Sequence, residues 1–164
     1  MIPFVLVLSL ATSTAASDDR LESTEPVVCA KVVGFRDYEV LDPPELTADE
    51  KLTVYYEPTG FTVRRDPKTL EYSAHISEDA LVRKKGSTKA IFDLKKMVEY
   101  EPRTKEPIGT TYISSVVSLK GLNPGEYELD LILRDELDLD KKPIEQTIGF
   151  TVIAPPSRPE SRPN

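Results

Sequence analysis

The chain has 164 residues, which is enough for one domain with a hydrophobic core. Its net charge of −7 disfavours nucleic acid and anionic membrane surfaces as partners. It contains one cysteine, which excludes an internal disulfide, and one histidine, which leaves few groups for zinc binding or nucleophilic catalysis.

The first sixteen residues, MIPFVLVLSLATSTAA, have the pattern of an export signal. An apolar run from Ile2 to Leu10 precedes two small-x-small cleavage patterns, Ser13 with Ala15 and Thr14 with Ala16. The run is shorter than the roughly 20 apolar residues that a membrane-spanning helix needs. We therefore expect a signal peptide at 1–16, a secreted or periplasmic protein, and no stable membrane insertion after cleavage. A buried N-terminal strand is the alternative.

The first half of the remaining chain predicts strands separated by loops. Polar residues at 17–26 predict a flexible lead-in, and the domain is expected at 27–153. A first strand is predicted from Val27 to Phe35, with Cys29 as a small core or half-buried residue. The segment from Lys51 to Glu57 alternates apolar and polar side chains, as a half-buried strand does.

The middle of the chain is less regular. Leu70, Tyr72, Ala74 and Ile76 share one face of a predicted strand, and another strand is predicted at Thr88–Leu94. The apolar residues from Leu94 to Tyr100 fit a helical turn and also an interrupted strand. Pro102 and Pro107 bracket a predicted loop or short helix.

The last third has the clearest pattern. The pattern at Thr111–Leu119 predicts a strand with Ile113, Val117 and Leu119 inward. A second strand is predicted with Tyr127, Leu129, Leu131 and Leu133 inward. A third is predicted with Ile144, Ile148, Phe150 and Val152 inward. A Pro-rich tail at 154–164 is predicted to be disordered. Together these elements predict an all-β fold, an antiparallel β-sandwich of about seven strands.

The segment Leu119-Lys120-Gly121-Leu122-Asn123-Pro124-Gly125-Glu126-Tyr127 resembles the turn and strand entry of fibronectin type III and related immunoglobulin-like sandwiches. The wider layout is similar to that of exported, uncharacterised bacterial single-domain proteins. The resemblance implies a sandwich with a tyrosine corner at Tyr127, whose hydroxyl bonds a backbone group. Pro124-Gly125 suits the middle of a type II turn. The resemblance implies no reaction, because sandwich folds host many functions.

One serine–histidine pattern was weighed as a catalytic site. Ser73, His75 and Ser77 would share the polar face of one strand. Same-face neighbours on a strand are about 7 Å apart, beyond the reach of these short side chains. We therefore predict a surface histidine among serines and no catalytic residue.

An acidic segment runs from Asp135 to Asp140. If it were extended, Glu136, Asp138 and Asp140 would lie on one side, as a calcium site requires. No glycine allows a tight calcium loop, and Lys141-Lys142 follows at once, so a solubilising connection is predicted. The same carboxylates could form a hydrolytic pair, but no tryptophan is present to line a sugar cleft.

The sequence therefore predicts an exported, non-catalytic module without cofactor or metal that binds another protein or gives structural support in the cell envelope or outside the cell. Binding is expected at the Pro58–Pro67 connection or the Pro102–Gly109 loop. Two alternatives stay open, a calcium- or carbohydrate-binding module and a small hydrolase using Asp138 and Asp140. The basic groups at 64–65, 83–85 and 95–96 are expected to be solvated loop charges, not a nucleic-acid site.

Overall fold

A computed structural model describes residues 20–155 of the protein. The predicted signal peptide at 1–16 and most of the predicted tail at 154–164 lie outside these residues. Within them the chain forms strands, turns and loops without any helix, which confirms the all-β prediction. Accordingly, the described part of the chain has no helix that could cross a lipid bilayer.

Fourteen strands follow one another along the described residues. They are β1 (Glu22–Ser23), β2 (Val27–Gly34), β3 (Asp37–Val40), β4 (Glu45–Thr47), β5 (Lys51–Tyr56), β6 (Pro58–Thr59), β7 (Arg64–Arg65), β8 (Tyr72–Ser73), β9 (Ile76–Lys84), β10 (Ala90–Tyr100), β11 (Arg103–Thr104), β12 (Ile113–Ser118), β13 (Gly125–Asp135) and β14 (Ile144–Ile153). Seven of them have six residues or more, and the others have two to four.

The long strands form two sheets. One has five strands in the order β10-β9-β13-β14-β4, and the other has four in the order β12-β5-β2-β3. Neighbours in these sheets are antiparallel, apart from β14 and β4, which run parallel. Short strands form a three-stranded sheet, β11-β8-β7, and a two-stranded sheet, β1-β6.

The two larger sheets share one hydrophobic core. Alternation along β5 turns Leu52, Val54 and Tyr56 inward, and β13 does the same with Leu129 and its neighbours at every second position. The inward residues predicted for β12 and β13 are all buried, which confirms those predictions. Each fully buried side chain of this size stabilises the fold by about 1.5–3 kcal/mol.

Strand β9 lies between β10 and β13 in the five-stranded sheet, and the sequence did not predict it. The predicted strand through Leu70–Ile76 is wrong in extent, because it is divided between Tyr72–Ser73 of β8 and Ile76 at the start of β9, and Leu70 has a φ of 60°. The adjacent acids Glu78 and Asp79 obscure the pattern of β9. Both are buried, because each finds polar partners on its own side of the sheet.

Strand β10 settles the ambiguity between Leu94 and Tyr100. It pairs with β9 from Ala90 to Tyr100 with a bulge between Leu94 and Val98, where Lys96 has a φ of 47°. The interrupted strand is therefore the observed form. The loop or short helix predicted after Pro102 contains the two-residue strand β11.

Residues 20–155 contain 14 strands in four sheets, whereas about seven strands were predicted. The additional strands are short, and two to four residues are too few for alternation to be visible in a sequence. Hairpin strand β3 and the pairs of two-residue strands belong to this group.

Tyr127 closes the turn that enters β13. Its hydroxyl donates to the carbonyl oxygen of Asn123 at 2.7 Å, and its ring stacks on Phe150 at 5.6 Å between centroids. The hydrogen-bonded turn lies earlier than predicted: the N–H of Leu122 donates to the carbonyl of Leu119, and Gly121 has a φ of 94°. A type II turn at Pro124-Gly125 is therefore wrong, because Gly125 has a φ of 156° and not the value near +80° that the turn needs.

The described end of the predicted lead-in packs against the domain. Leu21 is buried in the core, and Glu22–Ser23 pairs with Pro58–Thr59. The carbonyl oxygen of Arg20 lies over Gly60, 1.9 Å from where a Cβ would be, and Gly60 has a φ of 67°. Glycine is thus required on both steric and backbone grounds.

Candidate functional site

The outer face of the four-stranded sheet carries aromatic and aliphatic side chains. The alternation that turns Tyr56 into the core turns Tyr55 outward, and the register aligns one row of partners across all four strands: Val116, Thr53, Cys29 and Val40. We call Phe35, Tyr38, Val40, Tyr55, Tyr112 and Val116 the aromatic face.

Three tyrosine rings of the aromatic face stand side by side. The centroids of Tyr38 and Tyr55 are 4.3 Å apart at 30° between planes, and those of Tyr55 and Tyr112 are 5.4 Å apart at 21°. Phe35 continues the group at 6.4 Å from Tyr112. Offset stacking of this kind contributes about 0.5–1.5 kcal/mol per pair beyond area burial. The rings cover one another's faces, so Tyr55 is only 2% exposed.

The rim of the aromatic face remains open to solvent. Phe35 is 44% exposed, Tyr38 37%, Val40 52% and Val116 50%. Single exposed apolar side chains are ordinary on a protein surface, whereas several of them on one sheet face are typical of an interaction site.

Arg36 at the tip of the β2–β3 hairpin is held in place by the aromatic face. Its backbone has a φ of 56°, an uncommon value for a residue other than glycine, and its N–H donates to the Tyr55 hydroxyl oxygen at 2.9 Å. Its guanidinium donates to Glu57 through Nε at 3.0 Å and Nη2 at 2.9 Å, and it lies 4.9 Å from the Phe35 ring centroid. The hairpin is therefore fixed before any partner binds.

Glu57 is the charge centre under this hairpin. Hydrogen bonds from Arg36, and the Tyr55 hydroxyl donating at 3.0 Å, lower the pKa of Glu57 despite partial burial. The same pair raises the pKa of Arg36, and burial raises the pKa of Tyr55. At neutral pH the network therefore holds an ionised Arg36–Glu57 pair and a protonated tyrosine.

The outer face of the five-stranded sheet, which we call the charged face, has a different composition. Arg83 reaches Asp130 at 2.6 Å and also contacts Glu128, and Thr147 donates to Asp130 at 2.7 Å. Farther along, Asp79 accepts from Arg134 at 2.8 Å. Its charges compensate one another within the protein.

Glu78 lies buried between the two sheets. Its carboxyl accepts hydrogen bonds from Ser115 Oγ at 2.6 Å and from the Tyr56 hydroxyl. Burial raises the pKa of Glu78, and the two hydroxyl donors oppose that shift only in part. Burial and the Glu78 charge raise the pKa of Tyr56 as well. The cluster joins the two sheets and is fully buried, so no ligand can reach it.

The serine–histidine pattern does not form a catalytic group. His75 lies 3.7 Å from Glu99, and the buried Ser77 donates to Glu136. Ser73 is in β8 and Ser77 in β9, so the one strand that was to hold all three residues is wrong.

The acidic segment Asp135–Asp140 forms turns and is not extended. Asp135 is buried, accepts the Thr62 N–H at 2.6 Å and lies 3.6 Å from Lys141 Nζ. Glu136 and Asp138 accept from Ser77 and from the Asp140 N–H. Within residues 20–155, His, Cys, Asp and Glu side chains form no group of three or more placed to hold a metal ion.

The two loops predicted to bind a partner are joined by the small three-stranded sheet. Strand β7 lies in the Pro58–Pro67 connection and β11 in the Pro102–Gly109 loop, and both flank β8. They are not part of the aromatic face, which the sequence did not predict. Its rings come from separate parts of the chain: Tyr38 and Tyr55 lie in β3 and β5, Phe35 lies in the turn between β2 and β3, and Tyr112 precedes β12. Only the pair Tyr38 and Val40, two residues apart, indicates an apolar strand face in the sequence.

No protein-family model matches the chain, and no curated protein matches it. Among solved structures it is similar to part of a β-glucosidase from Erythrobacter marinus, at 10% sequence identity and a TM-score of 0.43. The similarity covers 81% of this chain and 15% of that one. A similarity of this degree carries no argument about activity.

Proposed function

We propose that the protein is an exported, non-catalytic, immunoglobulin-like β-sandwich module that binds another protein through the aromatic face. The observation that carries the proposal is the row of stacked rings with an open apolar rim. Tyrosine, phenylalanine and arginine are enriched at the centres of protein interfaces, where they dominate the binding energy. Here Tyr38, Phe35 and Arg36 are presented together on a rigid sheet.

The geometry of the rings favours a protein over a sugar as the ligand. Stacking on a sugar needs an aromatic ring whose flat face is open to solvent. The Tyr55 ring is packed between Tyr38 and Tyr112, and the Arg36 guanidinium lies over the Phe35 ring. Rings covered in this way suit the mixed apolar and hydrogen-bonding contacts of a protein interface.

The immunoglobulin-like part of the proposal is supported by strand order. If the seven long strands are lettered A, B, C, C′, E, F and G in chain order, the sheets contain A-B-E and C′-C-F-G. This is the arrangement of immunoglobulin-type sandwiches that lack strand D. Tyr127 then lies early in strand F, where a tyrosine corner is found.

Two further parts of the proposal are supported by sequence and contacts. Export is supported by the apolar run and small residues at 1–16. Mass spectrometry of the protein from the extracytoplasmic fraction tests it, with a mature start after Ala15 or Ala16 expected and an intact Met1 in the cytosol contradicting it. The non-catalytic role is supported by His75, Ser77 and Glu136 being bound to neighbouring groups.

The binding function is tested with matched surface variants. Tyr38→Ser with Val116→Ser removes two exposed side chains of the aromatic face, and Ile91→Ser with Leu139→Ser removes two exposed apolar side chains elsewhere. Each purified protein is used to capture partners from an extract of the producing cells. A captured protein is then identified, purified and titrated by calorimetry.

We expect the wild type and the Ile91/Leu139 variant to bind the same protein with similar affinity. The Tyr38/Val116 variant should bind at least about tenfold more weakly, since a tyrosine at an interface hot spot contributes about 2 kcal/mol or more. Equal binding by all three proteins would contradict the aromatic face as the site.

A further inference from the structure

The free edge of the aromatic face is strand β3. The order β12-β5-β2-β3 leaves one side of β3 without a neighbouring strand among the described residues, and all four of its residues are exposed. An unpaired strand edge of this kind can accept another strand through backbone hydrogen bonds.

The backbone of β3 shows which groups are free. The Leu41 N–H donates to the Val28 carbonyl at 2.9 Å, and Val40 lies opposite Cys29. In an antiparallel ladder this places the N–H and C=O of Val40 on the side away from β2. At each of the two register shifts the additional residue lies in β2, so β3 keeps its regular alternation. The N–H and C=O of Tyr38 therefore also point away from β2.

The side chains of β3 are sorted between its two faces. Tyr38 and Val40 belong to the aromatic face, and Asp37 and Glu39 point to the other side. From Asp37 to Glu50 the chain has six carboxylates and no Lys or Arg: Asp37, Glu39, Asp42, Glu45, Asp49 and Glu50. All six are exposed. Of these carboxylates, Asp37 and Glu39 belong to β3 itself, and Lys31 of β2 lies opposite Glu39. The edge is thus apolar on one face and carries two carboxylates and one lysine on the other.

Resting on the proposed function, we infer that the partner protein supplies an extended segment that pairs with β3 as a fifth strand of this sheet. Its side chains alternate between apolar residues, which extend the aromatic face, and Lys or Arg, which face Asp37 and Glu39. The charge of the edge selects a basic segment, and the register of β3 places its apolar residues beside Tyr38 and Val40.

The other three edges of the two larger sheets fit such a segment less well. β4 has only three residues, and β10 is interrupted by a bulge, which hinders strand pairing. β12 offers Ser114, Val116 and Ser118 on its outward face and no charge to select a partner.

The test separates backbone pairing from side-chain contact. Val40→Pro removes the outward N–H, which the ladder to β2 does not use, and proline is tolerated at such edge positions. Val40→Thr keeps the N–H and a β-branched side chain and is the matched control. The probes are a fluorescein-labelled peptide, Thr-Lys-Val-Lys-Val-Lys-Thr, and its counterpart with glutamate for lysine, followed by fluorescence anisotropy.

We expect Val40→Thr to bind the lysine peptide somewhat more weakly than the wild type, because a hydroxyl replaces an apolar contact. Val40→Pro should bind it about tenfold more weakly than Val40→Thr, as loss of a backbone hydrogen bond with its strand register predicts. The glutamate peptide should not bind. In a second variant, Asp37→Lys with Glu39→Lys, this preference should reverse. Because that variant keeps the backbone of β3, it tests the inference even if Val40→Pro does not fold.

Two results would overturn strand addition: equal binding of the lysine peptide to Val40→Pro and Val40→Thr, or no binding of it to the wild type. The proposed function would still hold after either result if the Tyr38/Val116 variant failed to capture the partner. If that variant captured the partner as well as the wild type does, the proposed function itself would be contradicted.

Discussion

The two outer faces of this protein are built from the same alternating strands but are stabilised in different ways. On the charged face, Arg83 and Arg134 are paired with carboxylates of neighbouring strands, so its polar groups are satisfied. On the aromatic face, Tyr55 is covered by other rings while Tyr38 and Val40 remain exposed.

This difference indicates which face is available to a partner. Covering the charged face would require removing water from paired ions, which is costly unless the new geometry is excellent. Covering the aromatic face removes apolar area from water, which is favourable at about 25 cal/mol per Å². The faces can be distinguished experimentally through their different responses to mutation, pH and salt.

The largest effect should come from Tyr55, the buried ring of the aromatic face. Tyr55→Ala should lower the free energy of unfolding by about 3–5 kcal/mol, as loss of a large buried side chain usually does. Thr147→Ala on the charged face should cost no more than about 1 kcal/mol, since it removes one exposed hydrogen bond. Urea unfolding measures both; similar losses would show that the ring group is not packed as described.

The next effect concerns Glu78 and Asp79, adjacent residues that point to opposite sides of β9. Burial raises the pKa of Glu78, so its contribution to stability is complete below about pH 4.3 and is lost as pH rises through the raised pKa. Burial opposes but does not prevent a lowered pKa of Asp79, because Lys96 N–H and Arg134 donate to it. Its contribution is present above about pH 3.9 and is lost on acidification through the lowered pKa.

Thermal unfolding between about pH 3 and about pH 8 tests this contrast. Relative to the wild type, Glu78→Gln should gain melting temperature as pH rises, and Asp79→Asn should lose it. If the melting-temperature difference from the wild type changed with pH in the same direction for both variants, the environment assigned to one of these carboxyls would be wrong.

A smaller effect compares two tyrosine hydroxyls, one in each larger sheet. Tyr127→Phe removes the single bond to the Asn123 carbonyl and should cost about 1 kcal/mol. Tyr55→Phe should cost more, because the Arg36 N–H and Glu57 both lose a partner. Chemical denaturation of the two variants side by side gives the order, and a larger loss for Tyr127→Phe would contradict it.

The smallest effect is the salt dependence of the charged face. Arg83→Met should destabilise the protein at about 0.05 M salt, and the loss should shrink in part at about 0.5 M because these half-buried ion pairs are only partly screened. Tyr38→Ser, on the aromatic face, should show no such change. A loss for Arg83→Met that is independent of salt would assign the role of Arg83 to packing.

The sequence predicts those strands that alternate without interruption. Leu129, Leu131 and Leu133 define β13 by spacing alone. The bond from the Tyr127 hydroxyl to a backbone group is what the resemblance to immunoglobulin-like sandwiches implies. β9 could not be predicted, because Glu78 and Asp79 break the apolar pattern and their partners, Ser115 and Arg134, come from distant segments.

The aromatic face could not be predicted for the same reason. Tyr38, Tyr55 and Tyr112 meet only because β3 pairs with β2, β2 pairs with β5, and β12, which begins directly after Tyr112, pairs with β5. Interstrand register is set by the whole sheet and is not readable from any one segment.

The carbonyl of Arg20 seated on Gly60 fixes the place where the polypeptide enters the domain. Any side chain at position 60 would push the backbone of Arg20 away and release Leu21 from the interior. A cargo or reporter fused ahead of Arg20 would therefore leave the domain from a defined exit point, and only the length of its linker would set how far it can travel.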